Sequence, residues 1–449
     1  MKVRSEAIAV PLAAVLVAAA FVVPHLHLGV VTPLIHASRL RIHLFAETAP
    51  IFGFWDLHVG WGTPAAIVIA VGVVVWGPTV AQRLPWRALP LAVWATSCAW
   101  AFSLAMINGW KRGFATGLTL RDFLHEVPRV ADIPKALHGF ARRIPDFQPD
   151  SWVTHVSGHP PGALLTFVWL NRIGLGGGAW AGALCLFVGS SAAAAIVVTL
   201  RALNDESTAR LAAPFVAAAP TAIWIAVSAD GYFAGVAAWG LALLALAVSG
   251  RARVPALAAV AAGVLFGWSI FLNYGLALLG VLAIAVLIAA KQPRAALVSL
   301  AFAIPAALAV VGVFAWAGFW WFDGYTLVQQ RYWQGIARDR PFQYWSWANI
   351  ASVVCAIGLG GVAGVSRVFD VSAIRRRSGL HLLVLAAMLA ILCADLSMLS
   401  KAETERIWLP FTVWLTAAPA LLPRPSHRWW LGANVVGALV LNHVILTNW

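Results

Sequence analysis

The chain has 449 residues, of which 61% are hydrophobic and 11% are charged. So large an apolar fraction excludes a soluble core, and apolar runs recurring from residue 7 to 447 predict one all-α, polytopic membrane domain over 1–449, with about 11–13 transmembrane helices. The formal net charge is +14, yet the basic residues form short clusters at helix ends and so indicate membrane orientation rather than a nucleic-acid partner.

Basic residues near the N-terminus set the orientation of the predicted spans. Lys2 and Arg4 precede the first apolar run, and Arg83 and Arg87 follow the second. Short loops that carry such residues stay on the cytoplasmic side during insertion. The N-terminus is therefore predicted inside, and 108–160 becomes a long extracytoplasmic loop.

The later basic clusters place 319–348 outside as a second large loop. Two apolar runs, 161–174 and 179–199, follow His159, which is predicted outside, and precede Arg201, which is predicted inside. Only one net crossing is allowed between these two residues, so one of the runs is predicted not to cross. The run 161–174 is short and begins at a double proline, which predicts a half-helix or re-entrant segment. The alternative is that the positive-inside rule fails at Arg201.

The 108–160 loop combines acids with an amphipathic pattern. Asp122 and Glu126 are four residues apart, so on a helix they would share one face. The stretch ADIPKALHGFARRI, residues 131–144, has apolar and basic positions at helical spacing and predicts a helix on the membrane surface. The sequence leaves open whether Asp122 caps a helix or acts in catalysis.

Twelve of the seventeen acids fall outside on this topology, so any chemistry is predicted to face outward. Asp56 is one of them. His155 and His159, in HVSGHPPG, are spaced to hold a metal if that segment were helical, but Gly158 and the prolines argue against a helix. We therefore expect the two histidines to hydrogen-bond a phosphate or carboxylate, and the sequence assigns no metal ligand.

Three stretches, in this order, resemble one family. HPPG ends the long loop, PTAIWIAVSADGYFAG carries Asp230, and KAETERIWLPFTVWLTAAPALL carries Arg406, Trp408 and Pro410. Together they resemble the protein O-mannosyltransferase and aminoarabinose transferase group of the GT-C membrane glycosyltransferases. Each stretch is short and is a weak signal alone, and their order is a stronger signal than any one of them.

The resemblance implies a GT-C-like fold and sugar transfer from a polyprenyl-phosphate donor to an extracytoplasmic glycan, lipid or protein, with inversion. Asp122 would be the catalytic base and Glu126 its partner. It needs no cofactor, although acids near Asp230 could hold a divalent metal. Substrate contacts are expected from ten residues, which are His155, His159, Asp230, Arg331, Arg338, Arg340, Lys401, Glu403, Glu405 and Arg406.

The sequence departs from that group in three ways. Two extra spans precede the acid-bearing loop, the motif RDF lacks the usual adjacent Asp-Glu pair, and Gly162 stands where the group has leucine. Asp56, which follows the first span, is therefore a rival for the base.

Other functions remain as alternatives. A polytopic transporter or lipid flippase would also carry membrane-embedded charge, but the sequence has no evident inverted repeat, and its acids concentrate in the outer loops. A membrane acyltransferase or envelope-glycan ligase would also use outer His and Arg, and a structural subunit would not need so many outer acids. Each reading predicts a multi-pass protein of the cell membrane, in contact with membrane lipids.

Overall fold

The structure is a computed structural model that describes residues 5–26, 46–119, 122–226 and 228–447. Lys2 and Arg4, used above for orientation, lie outside the described residues. In chain order, the helices are α1 (Glu6–Val22), α2 (Gly62–Arg83), α3 (Leu89–Ala105), α4 (Phe123–Glu126), α5 (Ile133–His138), α6 (Thr154–Ser157), α7 (Pro161–Arg172), α8 (Gly178–Leu203), α9 (Glu206–Ala217), α10 (Ala229–Val248), α11 (Pro255–Leu272), α12 (Leu279–Ala290), α13 (Pro293–Trp316), α14 (Trp321–Gln334), α15 (Phe342–Val365), α16 (Val371–Arg375), α17 (Gly379–Leu396), α18 (Thr404–Ile407), α19 (Leu409–Leu415) and α20 (His427–Val444).

Nine of these helices are long and apolar enough to cross a membrane, namely α1, α2, α3, α8, α10, α11, α13, α15 and α17. Two shorter apolar segments, Tyr274–Ala290 and Leu409–Leu421, accompany them. These nine helices and two shorter apolar segments among the described residues compare with the 11–13 transmembrane helices that the sequence predicted. The protein is a multi-pass membrane protein, and the predicted all-α polytopic fold is confirmed.

The two ends of the bundle differ in composition. One end, called the loop end below, carries the segments 46–61, 106–160, 317–341 and 397–408. The other, called the arginine end, carries the short basic connections, such as the one between α10 and α11. This division separates the acids of the loops from most of the arginines.

Helix α10 lies at the centre of the bundle. Seventeen of its twenty residues are buried, and it packs against α8, α11, α12 and α19. A helix that is apolar around its whole circumference belongs in such a position. Its first turn, at the loop end, contains the buried carboxylate of Asp230.

Helix α7 is twelve residues long, or about 18 Å at 1.5 Å per residue, which is too short for a hydrocarbon core of about 30 Å. Both of its ends lie against the long loop. At the end of α7, Arg172 donates to the Ala131 carbonyl at 2.7 Å, and Gly178, which begins α8, packs on the Ala115 carbonyl. These contacts with the long loop agree with the half-helix that the sequence predicted for this segment.

The surface helices of the loops are shorter than the sequence predicted. The amphipathic stretch 131–144 forms α5, which ends at His138, and then a single 3-10 turn at Ala141–Arg143. In the second large loop, α14 exposes Phe322 and Trp333. The end of that predicted loop belongs to α15, which begins at Phe342.

A two-stranded antiparallel sheet fastens the C-terminus to the loop end. Strand β1 (Gly53–Trp55) pairs with β2 (Ile445–Thr447), which directly follows α20. The pairing fixes the segment before α2 against the bundle. Phe52, the residue before β1, is thereby placed beside α18.

Candidate functional site

Charged side chains from five segments meet at the loop end. They form what we call the charged cluster, whose members are Asp122, His155, Asp230, Arg340, Lys401, Glu403 and Arg406. Five of the seven are buried, and the exceptions are the partly exposed His155 and Glu403. Charged residues are almost never buried unless they are paired, so this grouping is a specific feature of the fold.

Arg406 lies at the centre of the charged cluster. Its Nη1 is 2.5 Å from Asp230 Oδ2, and its Nη2 is 2.8 Å from Glu403 Oε2 and 3.3 Å from His155 Nε2. Burial alone would lower the pKa of Arg406, but the carboxylates of Asp230, Glu403 and Asp122 raise it above its ordinary value. Arg406 is therefore a permanent positive charge held in one orientation.

Asp122 caps a helix, which is one of the two roles that the sequence left open. Its Oδ1 accepts a hydrogen bond from Phe123 N at 2.6 Å and so caps α4. Its Oδ2 faces His155 Nδ1 at 3.8 Å, which is longer than a hydrogen bond. Because His155 Nε2 accepts from Arg406, the ring proton lies on Nδ1 and points towards Asp122. One carboxylate oxygen holds the local fold, and the other faces the cluster.

Arg340, Lys401 and Glu403 form the second half of the cluster. Arg340 Nη2 is 3.1 Å from Glu403 Oε1, and its Nη1 donates to the Lys401 carbonyl at 2.6 Å. Lys401 Nζ donates in return to the Arg340 carbonyl at 2.8 Å. Burial acts to raise the pKa of Glu403, but Arg340 and Arg406 outweigh it and lower this pKa to about 2. Glu403 is therefore ionised and bridges two arginines.

The backbone that carries Glu403 is strained. Met398, Ala402 and Glu403 have φ values of 59°, 71° and 63°, a region that costs side-chain-bearing residues roughly 1–3 kcal/mol each. Asn349 of α15 holds this segment by donating from Nδ2 to Asp395 Oδ1 at 2.7 Å and to the Ser400 carbonyl at 2.8 Å. Such strain persists only where the surroundings impose it, and it occurs often at functional sites.

Glu405 lies directly behind the cluster. Its Oε1 accepts from Phe52 N at 3.0 Å, and its Oε2 is buried with no hydrogen-bond partner among the described residues. Burial raises the pKa of Glu405 to about 7. Glu405 therefore connects the cluster to the segment before β1, and the structure places it behind the site rather than in it.

The raised pKa of Glu405 predicts a pH-dependent stability. Between about pH 4.5 and 7 the folded protein binds more protons than the unfolded chain, so its stability falls as pH rises through this window. We expect Glu405→Gln to remove that fall, raising stability relative to wild type at pH 8 by roughly 3 kcal/mol. Thermal unfolding of both proteins from pH 5 to pH 8 measures the difference. Parallel pH profiles for the two proteins would contradict the assignment.

His159 packs beneath His155. Its Nδ1 bonds the His155 carbonyl at 2.6 Å, and its ring lies between those of Phe123 and Phe233. Burial lowers the pKa of His159, so the ring is neutral at pH 7. A Cβ added to Gly162, two residues after the first proline, would lie 2.6 Å from the Phe271 carbonyl oxygen. This close approach of α7 to α11 explains why a glycine occupies this position.

Glu126 does not join the cluster. Arg129 Nη1 donates to both of its carboxylate oxygens, at 3.0 and 2.8 Å, and Val153 N donates to its Oε1 at 3.0 Å. These bonds hold the two ends of the long loop together. The expected pairing of Glu126 with Asp122 on one helical face fails because Asp122 is the N-cap of α4, a single turn that ends at Glu126.

Asp56 also lies apart from the cluster. It is exposed, and the bonds described for it are made by its backbone, from its N–H to the Val444 carbonyl and from its own carbonyl to His58 Nδ1. Pairing of β1 with β2 directs this segment along the C-terminal strand. Asp56 is therefore a weaker candidate for the base than Asp122.

The arginines of the second loop divide into two groups. Arg340 belongs to the cluster, whereas Arg331 pairs with Asp146 at 2.5 Å and Arg338 pairs with its neighbour Asp339 at 3.4 Å. Arg331 thus links α14 to the long loop. Its expected role in substrate binding has no support from these contacts.

The described residues show no ready-made site for a divalent cation. Over the described ranges, no group of three or more His, Cys, Asp and Glu residues is placed to hold one. Two carboxylates of the cluster, Asp230 and Glu403, are bound to the guanidinium of Arg406, which already supplies positive charge at that point.

Several contacts of the site were not evident from the sequence. Asn349, which holds the strained segment, was signalled only by its position as a lone amide in the apolar run ANIASVV. Tyr332 accepts from Lys401 N at 3.2 Å and had no distinguishing signal. Phe52, whose N–H binds Glu405, lies 353 residues from it in the chain.

No protein-family model and no curated protein matches the sequence. Solved structures do match. The oligosaccharyltransferase of Archaeoglobus fulgidus, in complex with Zn and sulfate, is 13% identical with a TM-score of 0.52, over 78% of this chain and 52% of that one. The same enzyme in the apo form is 12% identical with a TM-score of 0.46, over 80% and 50%. Its complex with an inhibitory peptide and a dolichol-phosphate is 14% identical with a TM-score of 0.44, over 75% and 50%.

At this level of identity the likeness concerns the fold alone. The chain has the fold of this oligosaccharyltransferase, so the GT-C-like fold predicted from the motifs is confirmed. The chain spans about half the length of the protein it matches. The narrower likeness to the protein O-mannosyltransferase and aminoarabinose transferase group rests on the motifs.

Proposed function

We propose that the protein is a GT-C glycosyltransferase that moves a sugar from a polyprenyl-phosphate donor to an extracytoplasmic glycan, lipid or protein. The observation that carries the proposal is the charged cluster, in which a carboxylate, a histidine and three buried cations meet at one end of a GT-C fold. The solved protein with this fold is itself an oligosaccharyltransferase.

The site faces the extracytoplasmic side in this proposal. Short loops rich in arginine stay in the cytoplasm, and the arginine end lies opposite the charged cluster. Nucleotide sugars are absent outside the cytoplasm, so the resemblance to GT-C enzymes implies a lipid-linked donor. A donor of this kind reaches the protein through the membrane, which explains a site at the boundary of the bundle.

Asp122 is the proposed base. Its Oδ2 takes the proton from the acceptor hydroxyl as the hydroxyl oxygen bonds to the anomeric carbon. The bond between that carbon and the lipid phosphate breaks on the opposite face, the phosphate leaves with the electron pair, and the configuration inverts. His155 Nδ1 faces this Oδ2 atom from 3.8 Å.

The cations of the cluster are proposed to hold the leaving phosphate. Arg340 Nε is buried and has no hydrogen-bond partner among the described residues, and Lys401 Nζ has one described acceptor for its three protons. Preorganised cations stabilise the charge that develops on a leaving group. Asp230 Oδ1, which is likewise buried and unbonded over the described ranges, is placed to accept from a sugar hydroxyl.

A donor panel tests the proposal. The purified protein is incubated with radiolabelled polyprenyl-phosphate sugars and a cell-envelope extract as the source of acceptor, and in parallel it is reconstituted into liposomes. We expect transfer with at least one donor. The control is Arg338→Gln, which alters an exposed ion pair outside the cluster and should leave transfer unchanged. Glu126→Asn is unsuitable as a control because it removes the bonds of Glu126 to Arg129 and Val153 within the long loop. Movement of the donor across the liposome membrane without any sugar transfer would instead favour a transporter.

A further inference from the structure

A cavity at the arginine end is separate from the proposed catalytic site. It has a volume of about 350 Å³ and lies between α2, α9 and the start of α20. Its walls include Pro78, Pro214, Arg210, Arg424, His427 and Arg428. Helix α20 starts here and ends at the strand pair of the loop end, so the whole length of the helix separates the two places.

Two of the three arginines in this cavity have no charged partner among the described residues. Arg210 is neutralised by Glu206, at 2.6 Å, and its Nη1 donates to the Ala81 carbonyl. Arg424 donates to the hydroxyl of Ser207 at 3.2 Å. Neither Arg424 nor Arg428 makes a salt bridge within the part of the chain that the structure describes. Two guanidinium groups that have no charged partner among the described residues therefore line the cavity, together with Pro78 and Pro214.

The cavity lies at the end of a membrane-spanning helix. Helix α2, which supplies Pro78 and Gln82 to the wall, is long and apolar enough to cross a membrane, and Trp429, next to Arg428, is 82% exposed. Tryptophan is enriched at membrane interfaces, where its amphipathic ring meets the lipid headgroups. A ligand in this cavity can place a phosphate against the arginines while its acyl chains lie along α2.

We propose that this cavity binds the phosphate-bearing headgroup of an anionic membrane lipid. Its volume is within the usual range of ligand sites, and basic pockets between transmembrane helices bind anionic headgroups. The position of the cavity at the end of the membrane-spanning helix α2 favours a lipid over soluble phosphate. The proposal does not depend on the glycosyltransferase assignment.

Native mass spectrometry of the full-length protein tests this inference. The protein is released from mixed phosphatidylcholine and phosphatidylglycerol vesicles, and the bound lipid is quantified. We expect one retained phosphatidylglycerol, with affinity reduced roughly fivefold for each arginine removed and about 25-fold in the Arg424→Gln/Arg428→Gln variant. The matched control is Arg251→Gln/Arg253→Gln, which removes two exposed arginines from the same end outside the cavity.

The controls distinguish the outcomes. Thermal unfolding in phosphatidylcholine alone shows that both double variants are folded. Excess inorganic phosphate should leave the bound phosphatidylglycerol in place, and displacement of the lipid by phosphate would overturn the lipid as the occupant. Equal losses in the two double variants, or no loss in Arg424→Gln/Arg428→Gln, would overturn the site itself.

Discussion

Asp122→Asn is expected to reduce sugar transfer by about 10²–10⁴-fold, the contribution typical of a positioned general base. The substitution removes the charge but keeps an oxygen that can accept from Phe123 N, and asparagine is as good an N-cap as aspartate. The fold of α4 should therefore survive. Transfer rates at saturating donor, together with thermal unfolding, measure both effects.

Asp56→Asn is the matched control for this variant. Asp56 is an exposed acid at the same end of the bundle, and its described bonds are made by the backbone. It should transfer sugar at the wild-type rate. Loss of transfer in Asp56→Asn with normal transfer in Asp122→Asn would show that the base has been assigned to the wrong loop.

Arg406→Gln is expected to abolish transfer and to destabilise the protein. The variant leaves Asp230 and Glu403 without the cation that now binds both, and breaking a buried ion pair on one side costs about 3–5 kcal/mol. Lysine should not restore activity, because a single ammonium cannot reproduce the two-armed contact. Thermal unfolding and transfer assays of Arg406→Gln and Arg406→Lys measure these effects.

A double variant separates stability from catalysis at this position. Arg406→Gln/Asp230→Asn removes one of the stranded carboxylates and should regain part of the lost stability while remaining inactive. Recovery of activity together with stability would mean that Arg406 serves the fold alone. The proposed contact of the cluster with the leaving phosphate would then be wrong.

The sequence was sufficient for the fold class and for the short helix α7. Apolar runs determine which segments cross, and the short run after His159 already predicted a half-helix there. The order of the motifs also selected four residues that the structure brings together, namely His155, Asp230, Glu403 and Arg406. Their meeting depends on the packing of segments that lie far apart in the chain.

The sequence could not predict how individual side chains divide their bonds. The four-residue spacing of Asp122 and Glu126 does not reveal whether a helix places them on one face. In the structure Asp122 caps α4, and Glu126 ends it, so the two side chains have different partners. The bond between Phe52 and Glu405 depends on the pairing of strands from opposite ends of the chain. Such contacts follow from tertiary packing, and local patterns carry no information about them.

A single-turnover reaction tests the central proposal most directly. Purified protein in excess over a radiolabelled polyprenyl-phosphate sugar, with envelope extract as acceptor, is followed for labelled product and released polyprenyl phosphate. The wild type should form both in equal amounts, while Asp122→Asn binds the donor as the wild type does and forms neither. Release of polyprenyl phosphate by Asp122→Asn at the wild-type rate would contradict the proposal.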